Sequence, residues 1–443
     1  MSKQQELDVD VDVEYLTRVE GHGNIVVNAE DGELETCEWR VVESPRFFES
    51  MVKDRSWDEV AMVTARICGI CSISHSLASL KATEDALDIF VSTQDRQLRK
   101  LALYGEIIQS HVLHVGYLAL PDLVDSKSVI PMAESHPDDV ETVVKLHRLG
   151  NEMTELFAGR DVHATSFVPG GFSQIPEEEE LKDLRERLAA ADDDLNAVVD
   201  LLVDLAPEFP SFERETEYVS LTQDDEYAFY DGVIESSDTG KMPAQDYRDL
   251  TNEYVVPQST AKYAKHAREA YLVGSLARFN NNYDQLSDRA KAVADAFDLS
   301  PQETNPYLNT VAQVVETAHL VDASIELLDE ILQRGLEEQE PHHKPDVDFG
   351  SGGRGVGAVD VPRGTLFHEY EYDENGECVE ANCVIPTNQN HGNIQQDMEK
   401  LVPEIAASKS DEAVEKDLEM LVRAYDPCIS CSTHYLDVDF VNE

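Results

Sequence analysis

The chain has 443 residues, and its 35 lysines and arginines against 89 aspartates and glutamates leave a formal charge of −54, far beyond the roughly 2–8 charges that suit an ordinary small domain. That charge repels a phosphate backbone and excludes nucleic acid as a partner, while 42% hydrophobic content is too high for a disordered acidic chain. No apolar run reaches the roughly 18 residues of a spanning helix, and MSKQQELDVDVDVEYL at the start has neither region of a signal peptide, so a soluble, cytoplasmic protein with no direct membrane span is expected.

The acidic residues are expected to coat the outside, as in a halophilic protein kept hydrated in concentrated salt, where charges are screened within a few ångströms. An acidic docking surface is the other reading. The first segment, 1–65, carries short alternating runs such as NIVVNAEDGELETCEWRVV, with Asp31-Gly32 as a hairpin turn, and reads as strand-rich. From Cys68 the period changes. Ile73, Leu77, Leu80 and Leu87 share one helical face, which predicts a helix from the first CxxC to about residue 90.

Further helix-period stretches at about 96–119, 137–160, 177–206, 260–297 and 306–336 make 66–340 a helix-bundle core. The Pro- and Gly-containing segment 207–255 reads as an excursion or small strand element. PHHKPDVDFGSGGRGVG then breaks helix and opens a third part, 341–434: irregular and strand-containing to 390, then a helix at about 392–424 and the second CxxC. The fold class expected is mainly α with small β parts, a central helix bundle with peripheral α+β segments. Gly350, Gly352 and Gly355 satisfy G-x-G-x-x-G, but no buried strand precedes them and no helix follows, so the stretch reads as a loop leading to Arg363 and not as a dinucleotide site.

Seven cysteines in an unsecreted chain of this size do not make a disulfide framework. Cys37, Cys378 and Cys383 read as buried thiols. The other four form two CxxC pairs, Cys68/Cys71 in RICGICSISH and Cys428/Cys431 in DPCISCSTH. With His75 the first pair stands at i, i+3 and i+7, which on a helix is one narrow face. Four thiolates suit zinc, nickel and iron alike. Structural zinc is the plain alternative, although it usually staples a small local unit and these pairs lie at opposite ends of the chain. A redox dithiol would sit in a short βαβ context that is absent.

RxCGxC with a histidine four residues on, and DPCxxCxxH near the C-terminus, resemble the large subunit of nickel–iron hydrogenases. RVEGHG at 18–23, SPRFFE at 44–49, VPRGTLFHEY at 361–370 and VIPTNQN at 384–390 extend the resemblance over nearly the whole chain, and PRFFE and DPCISCSTH are similar to the soluble branch that works with NAD(P) or a deazaflavin. The resemblance implies nickel on Cys68, Cys71, Cys428 and Cys431, with Cys71 and Cys431 also bridging to an iron that carries cyanide and carbon monoxide. It implies that Glu20 is the first proton carrier, that Arg363 sits over the open side of the site with Asp426 behind it, that His75 donates to a bridging sulfur, and that Thr387, beside Pro386, bonds a cyanide. Glu49 and His434 match ligands of a second site for magnesium or iron. His22 receives no role.

Read without the family, each of these residues has a plainer meaning: Glu20 a strand-end glutamate, His75 a satisfied core histidine, Arg363 a loop-surface arginine, Thr387 and Asp426 turn formers, Glu49 a surface ion pair. The resemblance further implies a catalytic subunit of a hetero-oligomer that cleaves dihydrogen reversibly. A small iron–sulfur subunit takes the electrons, flavin- and NAD(P)-reducing subunits follow, and a maturation endopeptidase cuts after the histidine, so that YLDVDFVNE after His434 marks an unprocessed precursor or is a short retained tail. Two departures stand out. Ser110 precedes His111 in IIQSHVLH where many relatives place an aspartate, and the tail is present. A coupling subunit of the same fold, as in respiratory complex I, would lack the cysteines; a zinc-stapled scaffold would leave Glu20, Glu49 and Arg363 unexplained.

Overall fold

The computed structural model describes residues 9–30, 33–337 and 345–433. Asp31-Gly32, His434 and the tail lie outside the described residues. In VDVDV the valines alternate with aspartates, and the strand Val9–Val13 buries every second residue. It pairs antiparallel with Gly23–Glu30, which pairs with Glu33–Val41. Short helices Phe48–Val52 and Val60–Thr64 then lead to Cys68.

The helix predicted after the first CxxC is Ser72–Ala86, with Cys71 as its N-cap and Cys68 extended ahead of it. The first pair is therefore a turn before the helix and not a stripe along it. Cys68 Sγ closes that turn by accepting the N–H groups of Ile70 (3.2 Å) and Cys71 (3.3 Å), bonds that a helical backbone would give to carbonyls. Long helices Thr93–Leu113, Pro137–Ala158 and Asn309–Arg334 form the centre, and one large apolar cluster joins them to the N-terminal sheet and the C-terminal helices. The architecture is mainly helical with small sheets, as the periodicity predicts.

Three expectations change. The stretch 260–297 is helical only in Ser275–Asn282 and Asp288–Ala296: Tyr263–Lys265 pairs with Asn252–Tyr254, and Tyr271–Leu272 runs parallel to Glu217–Thr222. The last helical stretch is two helices, Pro386–Ile405 and Asp411–Ala424, and the first starts early because proline suits an opening turn. The glycine-rich stretch is not a loop. Gly353–Val361 is a strand, antiparallel to Gly364–Tyr372, which pairs with Cys378–Val384. A Cβ on Gly355 would lie 2.2 Å from Ala86 N, and one on Gly357 2.0 Å from Ala78 O, so alternate glycines let this strand lie directly on the backbone of the helix that follows the first CxxC. No helix among the described residues is long and apolar enough to cross a membrane.

Candidate metal centre

The two CxxC turns, separated by nearly the whole chain, meet in the interior. All four sulfurs are buried and lie within 4.8 Å of one another, close to the widest spacing, about 4.6 Å, of two sulfurs each about 2.3 Å from one metal. Cys68 Sγ is 3.4 Å from Cys428 Sγ, and Cys71 Sγ is 3.8 Å from Cys431 Sγ, too far for disulfides of about 2.05 Å. Hydrogen bonds from Cys428, Cys431 and Cys71 hold the Cys68 thiol well below its ordinary value, while burial pushes Cys428 and Cys431 well above theirs. Four sulfurs crowded in a dry pocket cannot all ionise against one another; a bound cation makes all four thiolates together. The donor set thus fits a soft metal centre.

Beside the sulfurs lies a fixed cation, Arg363, whose charge Asp426, Cys428, Cys71 and Cys68 favour. Arg363 Nη2 donates to Asp426 Oδ1 at 2.8 Å and Nη1 to Ser110 Oγ at 3.2 Å, so Ser110 takes part here by holding the arginine. Arg363 Nε is buried without a partner among the described residues, a donor free for a ligand. Gln313 Nε2 donates to the other oxygen of Asp426 at 3.2 Å. The turn carrying Arg363 is held from behind by Arg278, which donates to Val361 O (2.8 Å) and pairs with Glu316 and Asp360. Burial would neutralise Glu316, yet Arg278 keeps its carboxyl well below the usual range, and His111 Nε2 bonds the same carboxylate at 2.8 Å.

Glu20 reaches the second CxxC. Its carbonyl accepts from Ile429 N at 2.9 Å, and its carboxylate accepts from Ser430 N at 3.0 Å and from the Ser430 hydroxyl. Thr387 Oγ1, beside Pro386 in the first turn of its helix, accepts from Cys428 N at 3.0 Å and keeps its own proton to donate. His75 is buried, and burial pulls its ring down to about 4, so it is neutral. Its Nδ1 is bonded to His368 Nε2 at 3.0 Å; at that nitrogen the partner is a second imidazole and not a cysteine sulfur. Glu49 is buried, not on the surface. It accepts from Cys383 N at 2.9 Å, and burial pushes its carboxyl up to about 7, a shift that a neighbouring cation would reverse.

Sequence reasoning passed over three supports. Glu106, in the middle of a long helix, caps the helix after Cys71 by accepting from Ile73 N (2.7 Å), Ser74 N (2.9 Å) and the Ser74 hydroxyl. His391 accepts from Trp39 Nε1 (2.9 Å) and donates to Ser432 Oγ (3.1 Å), which donates to Ile429 O. Arg46, in SPRFFE, donates through Nη2 to Ile67 O (2.6 Å) and to Ser430 O, tying the two cysteine turns together. A helical pattern does not show a cap, but the arginine of a quoted motif could have been asked for a role. A bond from a charged donor to a carbonyl is worth about 1.5–3 kcal/mol, so Arg46→Ala is expected to lower the urea midpoint of the purified chain and its nickel content together. Arg46→Lys should recover less than half of the loss, because one ammonium spans two carbonyls poorly.

Comparison with known proteins points the same way. The family described as nickel-dependent hydrogenase matches residues 46–145 and 211–434. The chain is 33% identical to the sulfhydrogenase 2 subunit alpha of Pyrococcus furiosus over 96% of its own length and 99% of the relative's. It is 29% identical to the NAD-reducing hydrogenase HoxS subunit beta of Cupriavidus necator, over 96% of this chain and 94% of that one. Among solved structures, an NAD+-reducing nickel–iron hydrogenase in its H2-reduced state superposes with a TM-score of 0.83 at 30% identity, covering 96% and 99% of the two chains. The nickel–iron–selenium hydrogenase of D. vulgaris Hildenborough, at 21% identity and a TM-score of 0.76, shares the fold. With its two cysteine pairs converged and the family match spanning both, the chain belongs to the nickel-dependent hydrogenases, as the large, catalytic subunit of a nickel–iron enzyme that cleaves dihydrogen.

Proposed function

We propose that Cys68, Cys71, Cys428 and Cys431 hold nickel and that Cys71 and Cys431 also hold an iron bearing cyanide and carbon monoxide, in a cytoplasmic complex that passes electrons from dihydrogen to NAD(P) or a similar acceptor. When bound, this group would supply heterolytic cleavage of dihydrogen, with two protons and two electrons per molecule as the products to be removed. Arg363, fixed by Asp426 and Ser110, keeps a positive charge and a free Nε–H beside the cysteines, where they would polarise a small ligand and hydrogen-bond a diatomic one. Thr387 Oγ1, which accepts from Cys428 N at 3.0 Å, would hydrogen-bond a cyanide with its own O–H, and Pro386 precedes it at the helix start. Neutral His75, whose backbone N–H donates to Cys71 O at 3.1 Å, would donate from its second ring nitrogen to a cysteine sulfur.

The proton is taken up at Cys428 or Cys431 Sγ and passes to a carboxylate oxygen of Glu20, which Ser430 aims at the turn between those cysteines. Glu49 and His434 hold a second cation, magnesium or iron, that pins the C-terminal end; oxygen-rich ligation with one imidazole suits such an ion. A small iron–sulfur subunit receives the electrons, because the three remaining cysteines, Cys37, Cys378 and Cys383, form no cluster-binding set. Flavin- and NAD(P)-binding subunits complete the complex, and an endopeptidase removes the tail after His434 during maturation. The relatives named as NAD-reducing hydrogenase and sulfhydrogenase support this choice of acceptor class.

The observation that carries the reading is the meeting of all four buried sulfurs, with the buried Arg363 beside them. The purified complex is expected to contain nickel and at least as much iron, and to reduce NAD+ or NADP+ under dihydrogen. Zinc in place of nickel, or no dihydrogen-dependent reduction of any acceptor, would defeat it.

A further inference from the structure

Resting on the reading of Glu20 as first proton carrier, we infer that Glu43 and His22 are the next stations, carrying the proton from Glu20 to bulk water. A carboxylate beside buried sulfurs regenerates only if its proton leaves, and Glu20 is half-buried. Its partner Ser430 lies against a notch made by Gly21. A Cβ on Gly21, whose φ is +88°, would stand 2.9 Å from Ser430 N, 2.7 Å from Ile429 Cβ and 3.0 Å from Glu43 Oε1. With no side chain at Gly21, Ser430 N and Glu43 Oε1 both lie within 3.0 Å of the point where its Cβ would stand, and the Glu20 carboxylate bonds that same Ser430 N–H, so the step between the two carboxylates is one that ordered water at their edge would carry.

Glu43 Oε1 is bonded to His22 Nδ1 at 2.8 Å. The Glu43 side chain is 18% exposed and the His22 ring 62% exposed, so the pair runs from inside to outside. Tyr15 packs edge-on against the imidazole with ring centroids 5.6 Å apart, and Thr260 Oγ1 donates to the Glu43 carbonyl at 2.6 Å; both fix the pair from outside. Imidazole is the side chain that takes up and releases protons near neutral pH. In the transfer, protonated Glu20 gives its proton through water to Glu43, Glu43 Oε1–H protonates His22 Nδ1, and His22 Nε2–H releases one proton to solvent. The ring, open to water, then returns to its starting tautomer. One proton moves outward, Glu20 is again a carboxylate, and no electron is transferred.

The test uses the intact purified hydrogenase complex in dilute buffer, with His22→Ala, Glu43→Gln and Glu20→Gln compared for nickel content, turnover and exchange of D2 with water. His22→Ala and Glu43→Gln are expected to keep their nickel and to lose about tenfold or more in turnover and exchange, less than the loss of a full general acid/base. Free imidazole should restore most of the activity of His22→Ala and none of that of Glu20→Gln, a rescue that a structural defect would not show. Diethyl pyrocarbonate should modify His22 in the wild-type complex, detected by mass spectrometry independently of activity. Turnover of either relay variant within twofold of wild type, failure of imidazole to rescue His22→Ala, or an unmodified His22 would overturn the relay. An active Glu20→Gln would instead remove the first carrier, so the two failures are distinguishable.

Discussion

Cys428→Ser is expected to retain less than about a tenth of the wild-type nickel, since loss of even an outer partner of a metal ligand costs about 10–100-fold in affinity and here a ligand itself is lost. Cys428 Sγ lies 3.4 Å from Cys68 Sγ, and the backbone N–H beside it is held by Thr387. The exchange alters one atom in a fully packed turn, and the surrounding bonds of Ile429, Ser430 and Ser432 to Glu20 and His391 survive. A hydroxyl is a hard, weakly acidic donor and cannot replace a soft thiolate. Elemental analysis of the purified complex checks this, with unchanged circular dichroism showing that the fold remains. Cys383→Ser serves as control: Cys383 is equally buried but stands outside the four-sulfur group, and the variant should keep its nickel. Stoichiometric nickel in Cys428→Ser would refute the ligand set.

Glu20→Gln is expected to keep its metal and slow turnover by about 10²–10⁴-fold, the usual range for a lost general acid/base. The substitution is nearly isosteric. The glutamine carbonyl can accept from Ser430 N and its amide can donate to Ser430 Oγ, so the contacts of the carboxylate persist in form. What disappears is the capacity to hold a transferable proton. Turnover under saturating dihydrogen, measured alongside nickel content, separates the two effects. Full turnover would take Glu20 out of the reaction, and loss of nickel would make it a structural residue of the second CxxC turn.

The sequence by itself determined the class of fold, the metal-binding residue types and their membership in one family. Helical periodicity is local, and a CxxC pair or a VPRG turn is a short string legible without its surroundings. Boundaries failed where distant pairing overrode local pattern: Tyr263–Lys265 is a strand because Asn252–Tyr254 lies beside it. Gly353, Gly355 and Gly357 are spaced for a helix backbone, Ser72–Ala86, that lies far off in the chain.

Only the tertiary structure decided that Cys68 and Cys428 share one pocket, that Arg363 is held by Asp426 and Ser110, that Arg46 ties both cysteine turns, and that Glu43 bonds His22 beside Gly21. The physical reason is that ionic and hydrogen-bonding partners act over about 3 Å of space, whatever the length of chain between them. A pattern along the chain records what each residue can do, and the fold alone selects the neighbour it does it with.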